Sequence, residues 1–480
     1  MNPQNDNIAA QLVDRLARMN YIFALQRDGY SSIPMPPLDH RRQQLGLLKA
    51  LLIEHKDELA AAINADFTAR SADETMFAEI LPCIQYTNYT LKRLRGWMKP
   101  GKRSVGLFFL PASAQVVYQP LGVVGIIVPF NYPLGLALIP LVTALAAGNR
   151  AMLKMSESTP RTATLMAKML GKGFDEDQVA VITGEADVAA AFSRLPFNHL
   201  LFTGSTAVGK QVMRAAADNL TPVTLELGGK SPAIIADDIP LADIIDRLCF
   251  AKSLNAGQTC VAPDYVLVPR GKLDTFMKLY KATFRRMYPT LNGNPHYSSI
   301  INAHSYELLQ DWLKDAAGKG ARIEKVSDEN INDGTFRMPL HLVTQVTDEM
   351  KIMQKELFGP ILPVIPYDNI EEALAYINQR PRPLSLYLFT YDRALQEHVT
   401  YHTHAGSMCI NEALIHVGVD DLPFGGIGAS GMGHYHGHEG FLTMSKTKAI
   451  LRKGRFNSTK FIYPPYGGIV QRWLAKWLTR

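Results

Sequence analysis

The chain has 480 residues, 47% apolar and 20% charged, which is ordinary for a globular protein with room for two or three domains and a large core. Its four cysteines (83, 249, 260 and 409) form no C-x-x-C pair, which argues against a disulfide framework or a zinc site and fits a reducing cytoplasm. The formal charge of +6 is uneven: Phe441 to Arg480 carries nine Lys or Arg and no acid, and the other residues carry 41 bases against 44 acids. No nucleic-acid module accompanies the basic tail, so a nucleic-acid partner is excluded. The first residues, Met1-Asn-Pro-Gln-Asn-Asp, lack the basic-then-apolar pattern of a signal peptide.

The spacing of Ile8, Leu12, Leu16, Met19 and Phe23 predicts an amphipathic helix over 8–29. Two more are expected over 38–65 and 71–97. Val105, Leu107 and Phe109 then alternate, predicting a strand-like arm over 103–119. No charge occurs between Arg103 and Arg150, but Pro129, Pro133 and Pro140 break a membrane span. A buried strand over 123–129 followed by a helix over 133–147, closed by Gly148, accounts for that run. From there short apolar strands alternate with helices: strands near 151–156, 178–184, 198–204 and 223–228, and helices near 160–170, 186–194 and 206–218. This alternation predicts a doubly wound parallel sheet, with ligands at the carboxyl ends of its strands. A second α/β series runs from 233 to 411, with an unassigned Asn- and Asp-rich region at 291–345. An edge strand is expected over 443–453.

Several stretches carry chemistry. Thr203-Gly-Ser-Thr-Ala-Val-Gly209-Lys210 lies between a strand and a helix, but Gln211 stands where a P-loop needs Ser or Thr for magnesium. It leaves a helix N-terminus, capped by Ser205 or Thr206, that suits a pyrophosphate or is an ordinary turn. Lys154-Met-Ser156-Glu157 ends a strand on the same sheet edge; it could hold ribose hydroxyls or be a solvated strand end. Asn131 sits in the most apolar part of the chain, so its amide caps a helix or serves a site, such as a developing oxyanion. Cys260 lies in a Gly-rich polar loop, Asn255-Ala-Gly-Gln-Thr-Cys260, whereas Cys83, Cys249 and Cys409 read as buried apolar residues. With Glu226 as a base, Cys260 suggests covalent catalysis on a carbonyl carbon. His434-Tyr-His436-Gly-His438 reads as a polar loop rather than a metal site.

Seven motifs, in order, resemble the aldehyde dehydrogenase superfamily: Pro129-Phe-Asn-Tyr-Pro133, Lys154-Met-Ser-Glu157, Phe202-Thr-Gly-Ser-Thr206, Glu226-Leu-Gly-Gly-Lys-Ser-Pro232, Gly257-Gln-Thr-Cys260, Glu356-Leu-Phe-Gly-Pro360 and Leu422-Pro-Phe-Gly-Gly-Ile-Gly428. The likeness covers roughly residues 40–455. Val261-Ala-Pro-Asp-Tyr265, Ser430-Gly-Met-Gly433 and Tyr463-Pro-Pro465 look most like class 3, and within it the chain is similar to bacterial coniferyl aldehyde dehydrogenases.

The resemblance implies NAD(P)-dependent oxidation of an aldehyde to a carboxylic acid. Cys260 would be the nucleophile, Asn131 the oxyanion donor and Glu226 the base for water. Lys154, Ser156 and Glu157 would hold the adenosine ribose, Gly204, Ser205 and Gly209 the pyrophosphate side, and Glu356 with Phe358 the nicotinamide ribose. Leu227 would also contact the cofactor, and Tyr132, His416 and Phe424 the substrate. Phe130 stands where the family commonly has Trp. Glu157 should favour NAD over NADP, although both remain open. The implied architecture is an NAD(P)-binding domain (1–102 and 119–225), a catalytic domain (226–421), an oligomerisation arm (103–118 and 441–458), a glycine-rich active-site loop (422–440) and a basic tail (459–480). A cytoplasmic homodimer is expected, with a CoA-acylating enzyme as an alternative. The tail's stripe of Ile469, Trp473, Trp477 and Leu478 allows weak membrane-surface contact.

Overall fold

The computed structural model describes the backbone of residues 3–479 and the side chains of residues 12–479. Three sheets organise it. The first has six strands in the spatial order Gly431–Met432, Val223–Leu227, His199–Gly204, Val123–Ile127, Arg150–Lys154 and Val179–Ile182; only Gly431–Met432 is antiparallel. Both faces are covered, so Val123–Ile127 and Arg150–Lys154 are buried at every residue, as parallel strands require. Chain order reverses between Val123–Ile127 and His199–Gly204, the point where a doubly wound sheet opens a crevice.

The second sheet has seven strands, ordered Arg322–Lys325, His341–Thr344, Ile361–Tyr367, Tyr265–Pro269, Pro232–Ile235, Ser385–Phe389 and Ser407–Ile410. Only its first pair is antiparallel. The third is a small antiparallel sheet of Gly101–Arg103, Ser113–Pro120 and Ser445–Arg452, with the last strand at its edge and mostly exposed.

The structure departs from expectation in four places. The helix expected over 38–65 is two, Leu38–Glu54 and Lys56–Asp66, broken at His55. The one expected over 71–97 contains a π-turn, Met76–Ile80, between Ala72–Thr75 and Leu81–Trp97. The alternation of Val105, Leu107 and Phe109 is not a strand: Gly106 takes φ 71°, Leu107–Phe109 form a 3₁₀ turn, and the strand begins at Ser113. The unassigned region holds the helix Ala303–Gly318 and two strands of the second sheet, Arg322–Lys325 and His341–Thr344. The first helix spans Pro3–Ser32 and buries Met19 and Phe23 against the first sheet; the side chain of Ile8 lies outside the described residues.

The tail ends in the helix Ile469–Leu478. Trp477 meets Phe108 edge-on, but Ile469, Val470, Trp473, Trp477 and Leu478 remain exposed. Among the described residues no helix is long and apolar enough to cross a membrane.

Candidate active site

A cavity of about 1410 Å³ opens at the reversal point of the first sheet and reaches the second. Its walls include Asn131, Glu157, Ser205, Glu226, Cys260 and Glu356. Residues far apart in sequence converge there because each follows the carboxyl end of a strand or lies in a loop facing it.

Cys260 follows a backbone that is hard to form. Asn255, Ala256 and Gly257 have φ of 49°, 51° and 76°, three successive left-handed residues of which two carry side chains. Such strain persists only where surrounding contacts over-determine it. Here the buried Gln258 donates from Nε2 to Asn255 O (3.0 Å) and Ser299 O (2.9 Å), while its Oε1 accepts from Ile301 N–H (3.0 Å). The Asn255 amide donates to Asn131 O (3.0 Å) and Gln258 O (3.2 Å). Asn131 Nδ2 in turn donates to Gln258 O at 3.2 Å, so the asparagine is held against the cysteine loop. Desolvation, with Glu356 and Glu226 adding to it, pushes the Cys260 thiol up to about 12; the backbone N–H groups of Cys260 and Val261 oppose the shift.

Glu226 lies on the strand Val223–Leu227, beside Thr203 and Gly431 of its neighbours. It is 3% exposed, and neither carboxylate oxygen has a hydrogen-bond partner. Burial therefore raises its pKa well above the ordinary carboxylate value. A buried, unsatisfied acid in a cleft is costly as structure and apt as a base.

Glu356 is the second buried acid. Desolvation first and Asp264 second raise it to about 8, while Gly229 N–H, Lys230 and Lys252 pull it down. Its carboxylate occupies the space a side chain on residue 228 would need: a Cβ there would lie 1.7 Å from Glu356 Oε2. Lys252 and Asp264, buried beside it, were not singled out from sequence. Lys230 pairs with Asp264 and donates to Ile352 O (2.8 Å), and Asp264 Oδ1 accepts from Leu357 N–H (2.8 Å). Phe358, at φ 46°, meets Phe130 edge-on with ring centres 5.7 Å apart.

The other end of the cavity fits a dinucleotide. The twelve-residue helix Thr206–Ala217 points its N-terminus at it, with Ser205 as N-cap accepting from Val208 N–H. Ser156, Glu157, Gly204 and Leu227 also line it. Lys154 is 1% exposed and stands behind Glu157, its Nζ 3.8 Å from Glu157 Oε2 and donating to Met155 O at 2.7 Å. Gly209 does not line the cavity. Its absent side chain lets the helix close onto the sheet, since a Cβ there would meet Leu227 Cδ2 at 2.6 Å.

The three residues expected at the substrate do not line this cavity either. Tyr132 Oη is hydrogen-bonded to Thr259 Oγ1 (2.8 Å). His416 Nε2 is engaged by Ser407 Oγ (2.8 Å) and Ser385 Oγ (3.2 Å), and burial lowers its pKa to about 4. Phe424 packs on His436 and Tyr435. The polar groups of Tyr132 and His416 are thus committed to the protein. Nor is the His434–His438 stretch a polar loop throughout: His436 is buried against Tyr86, and His438 stacks on Trp97. Among the described residues no cluster of His, Cys, Asp and Glu could hold a metal.

The aldehyde dehydrogenase family model matches residues 2–450. The chain belongs to the aldehyde dehydrogenase family. A protein of Pseudomonas aeruginosa named "Probable coniferyl aldehyde dehydrogenase" is 56% identical over 98% of both chains. A "Coniferyl aldehyde dehydrogenase" of a Pseudomonas species is 42% identical, covering 91% of this chain and 92% of that one. Among solved structures, the substrate-bound state of Staphylococcus aureus AldH aligns with a TM-score of 0.90 at 34% identity, over 96% of this chain and 99% of that one. This aldehyde dehydrogenase is an enzyme that uses NAD or NADP.

Proposed function

We propose that this aldehyde dehydrogenase oxidises coniferyl and related aromatic aldehydes to their carboxylic acids, with NAD as the preferred cofactor and Cys260 as the nucleophile. The observation that supports the mechanism is that Cys260, Asn131 and the unpartnered Glu226 line one cavity. The substrate class rests on the names of the two Pseudomonas relatives.

Cys260 Sγ attacks the aldehyde carbon as the thiolate, its proton having passed to solvent. Asn131 Nδ2 and the Cys260 backbone N–H donate to the oxyanion of the thiohemiacetal. Oxidation of this adduct to a thioester would use the hydride acceptor that a bound nicotinamide supplies. Glu226 then takes a proton from water, which attacks the thioester carbon, and passes it to the departing Cys260 sulfur, releasing the acid and restoring the free thiol. Ser156 and Glu157, backed by Lys154, bind the adenosine ribose. Gly204, Ser205 and the open helix end bind pyrophosphate, and Leu227 packs beside it. Glu356 and Phe358 hold the nicotinamide ribose. The presence of Glu226 as a base favours hydrolysis over transfer to CoA, because water needs that activation and a thiol acceptor needs it less.

The three sheets support a division into a cofactor domain, a catalytic domain and a small arm. The exposed edge strand Ser445–Arg452 supports a homodimer in which this edge pairs with a second copy. The exposed apolar stripe of Ile469–Leu478, with Arg472 and Lys476 beside it, supports peripheral contact with an anionic membrane surface.

The test is reduced-nicotinamide formation with coniferyl aldehyde, benzaldehyde and octanal, each with NAD or NADP and with or without CoA. Turnover without CoA, highest with coniferyl aldehyde and NAD and abolished in Cys260→Ala, is expected. Turnover only with CoA would move the enzyme to the acylating branch. Equal turnover of octanal and coniferyl aldehyde would overturn the substrate assignment.

A further inference from the structure

We propose that Arg70 is a positioning residue for the oxyanion site and the nucleophile loop, and that its guanidinium sets the place of Asn131 relative to Cys260. The proposal rests on the roles given above to Asn131 and Cys260.

Arg70 sits in the turn before the helix Ala72–Thr75, far in sequence from every catalytic motif, and its side chain is 0% exposed. Each edge of the guanidinium has a separate task. Nη1 donates to the backbone O of Asn131 at 2.7 Å. Nη2 lies 3.0 Å from Glu79 Oε1, and Nε lies 3.5 Å from Glu74 Oε1. The planar group sits over the rings of Phe67 and Tyr132, at 5.0 and 4.8 Å from the ring centres. Only a rigid, forked, permanently charged group can donate to one carbonyl, pair with two carboxylates and lie over two rings at once; an ammonium is a point charge.

Through these contacts Arg70 reaches both halves of the site. Asn131 O accepts from Arg70 and also from Asn255 Nδ2, so one carbonyl ties the guanidinium to the strained loop before Cys260. Tyr132, lying under Arg70, is hydrogen-bonded through its hydroxyl to Thr259, the residue preceding the nucleophile. Glu79 holds the next segment: its Oε2 accepts from Leu134 N–H (2.8 Å) and Gly135 N–H (2.9 Å), at the start of the helix that follows Asn131. Glu74 accepts from Ser298 Oγ (3.1 Å), and Ala69 O accepts from Ser299 N–H (2.8 Å), whose own carbonyl receives the Gln258 amide. The segment 69–79 therefore clamps the Asn131 turn and the Cys260 loop, which descend from different sheets. The π-turn Met76–Ile80 carries Glu79 within this clamp.

The misplacement of an oxyanion donor is felt in the transition state rather than in substrate or cofactor binding. The test compares Arg70→Lys, which keeps a charge beside both acids, with Arg70→Met, Asn131→Ala, Arg70→Lys/Asn131→Ala and Cys260→Ala. Each is assayed for aldehyde oxidation, for NAD affinity and for hydrolysis of an activated aryl ester, which Cys260 attacks without a nicotinamide. In Arg70→Lys the expected result is a loss of about tenfold or more in kcat for both reactions. KM and the dissociation constant for NAD should stay within about twofold of wild type. In the Asn131→Ala background the same change should cause little further loss, because both act at one step. A wild-type kcat in Arg70→Lys overturns the proposal, even if Arg70→Met fails to fold. So does a full, additive loss in the double variant, or a loss confined to NAD affinity. If Asn131→Ala and Cys260→Ala keep both activities, the assignment of the site itself has failed.

Discussion

Replacing Glu226 by Gln keeps the shape of a buried side chain and removes its only titratable function. Among the described residues its carboxyl oxygens have no hydrogen-bond partner, and burial raises its pKa. Loss of a positioned general base typically costs about 10²–10⁴ in rate, and the loss should fall on thioester hydrolysis. Rapid mixing with coniferyl aldehyde and NAD should therefore give about one reduced nicotinamide per active site and then stall, with an acyl mass on Cys260. Addition of CoA or another thiol should relieve the stall. The same variant tests the burial. A carboxyl group whose folded-state pKa exceeds its unfolded value costs nothing below the unfolded value, 4.5, where both states are neutral. As pH rises from there toward the folded value, the native state loses about 1.4 kcal/mol per pH unit relative to the unfolded chain. The Gln side chain does not titrate, so the Tm advantage of Glu226→Gln should be near zero at pH 4 and grow between pH 5 and pH 7. For a chain of this size it should grow by about 3 °C, taking about 1 °C per kcal/mol. Steady-state turnover within threefold of wild type would refute the base assignment. A Tm advantage that shrinks as pH rises would refute the buried neutral carboxyl.

Three further perturbations follow from the same geometry. Glu157→Gln should raise kcat/KM with NADP relative to NAD roughly tenfold, since it removes a partly exposed carboxylate whose repulsion of a 2′-phosphate is about 1–2 kcal/mol; an unchanged cofactor ratio would remove Glu157 from the ribose site. Gly228→Ala should raise KM for NAD about tenfold or more by displacing Glu356, whose Oε2 would lie 1.7 Å from the new Cβ, and titration calorimetry with NAD would detect it. Deletion of residues 467–480 should abolish co-sedimentation with phosphatidylserine vesicles and leave aldehyde turnover intact. Equal sedimentation of both proteins would rule out the tail as the membrane contact.

Much of the site was legible because its residues carry unusual chemistry in unusual places. Cys260 follows a glycine-bearing polar loop, Asn131 interrupts an apolar run, and Glu226 ends an apolar strand. Each is a local signal. The parallel sheet was readable for a similar reason, since strands buried on both faces read as short continuous apolar runs. Arg70, Glu79, Lys252 and Asp264 were not readable. A charged residue in a helix or loop is ordinarily solvated, and nothing local distinguishes one that is buried. The small arm was misread at Leu107 and Phe109, where Gly106 reverses the chain.

By itself the sequence determined which groups could do chemistry here: one thiol in a polar loop, one acid in an apolar strand, one amide in a buried turn, and a helix end for phosphate. Tertiary structure alone decided how they act together. It stripped water from Glu226, left Cys260 half-buried, seated Glu356 in the gap left by Gly228, and packed Gly209 against Leu227. It also withdrew Tyr132 and His416 into hydrogen bonds of their own. The physical reason is that desolvation and mutual distance set pKa and reactivity, and both are properties of a packed neighbourhood rather than of a residue and its sequence neighbours.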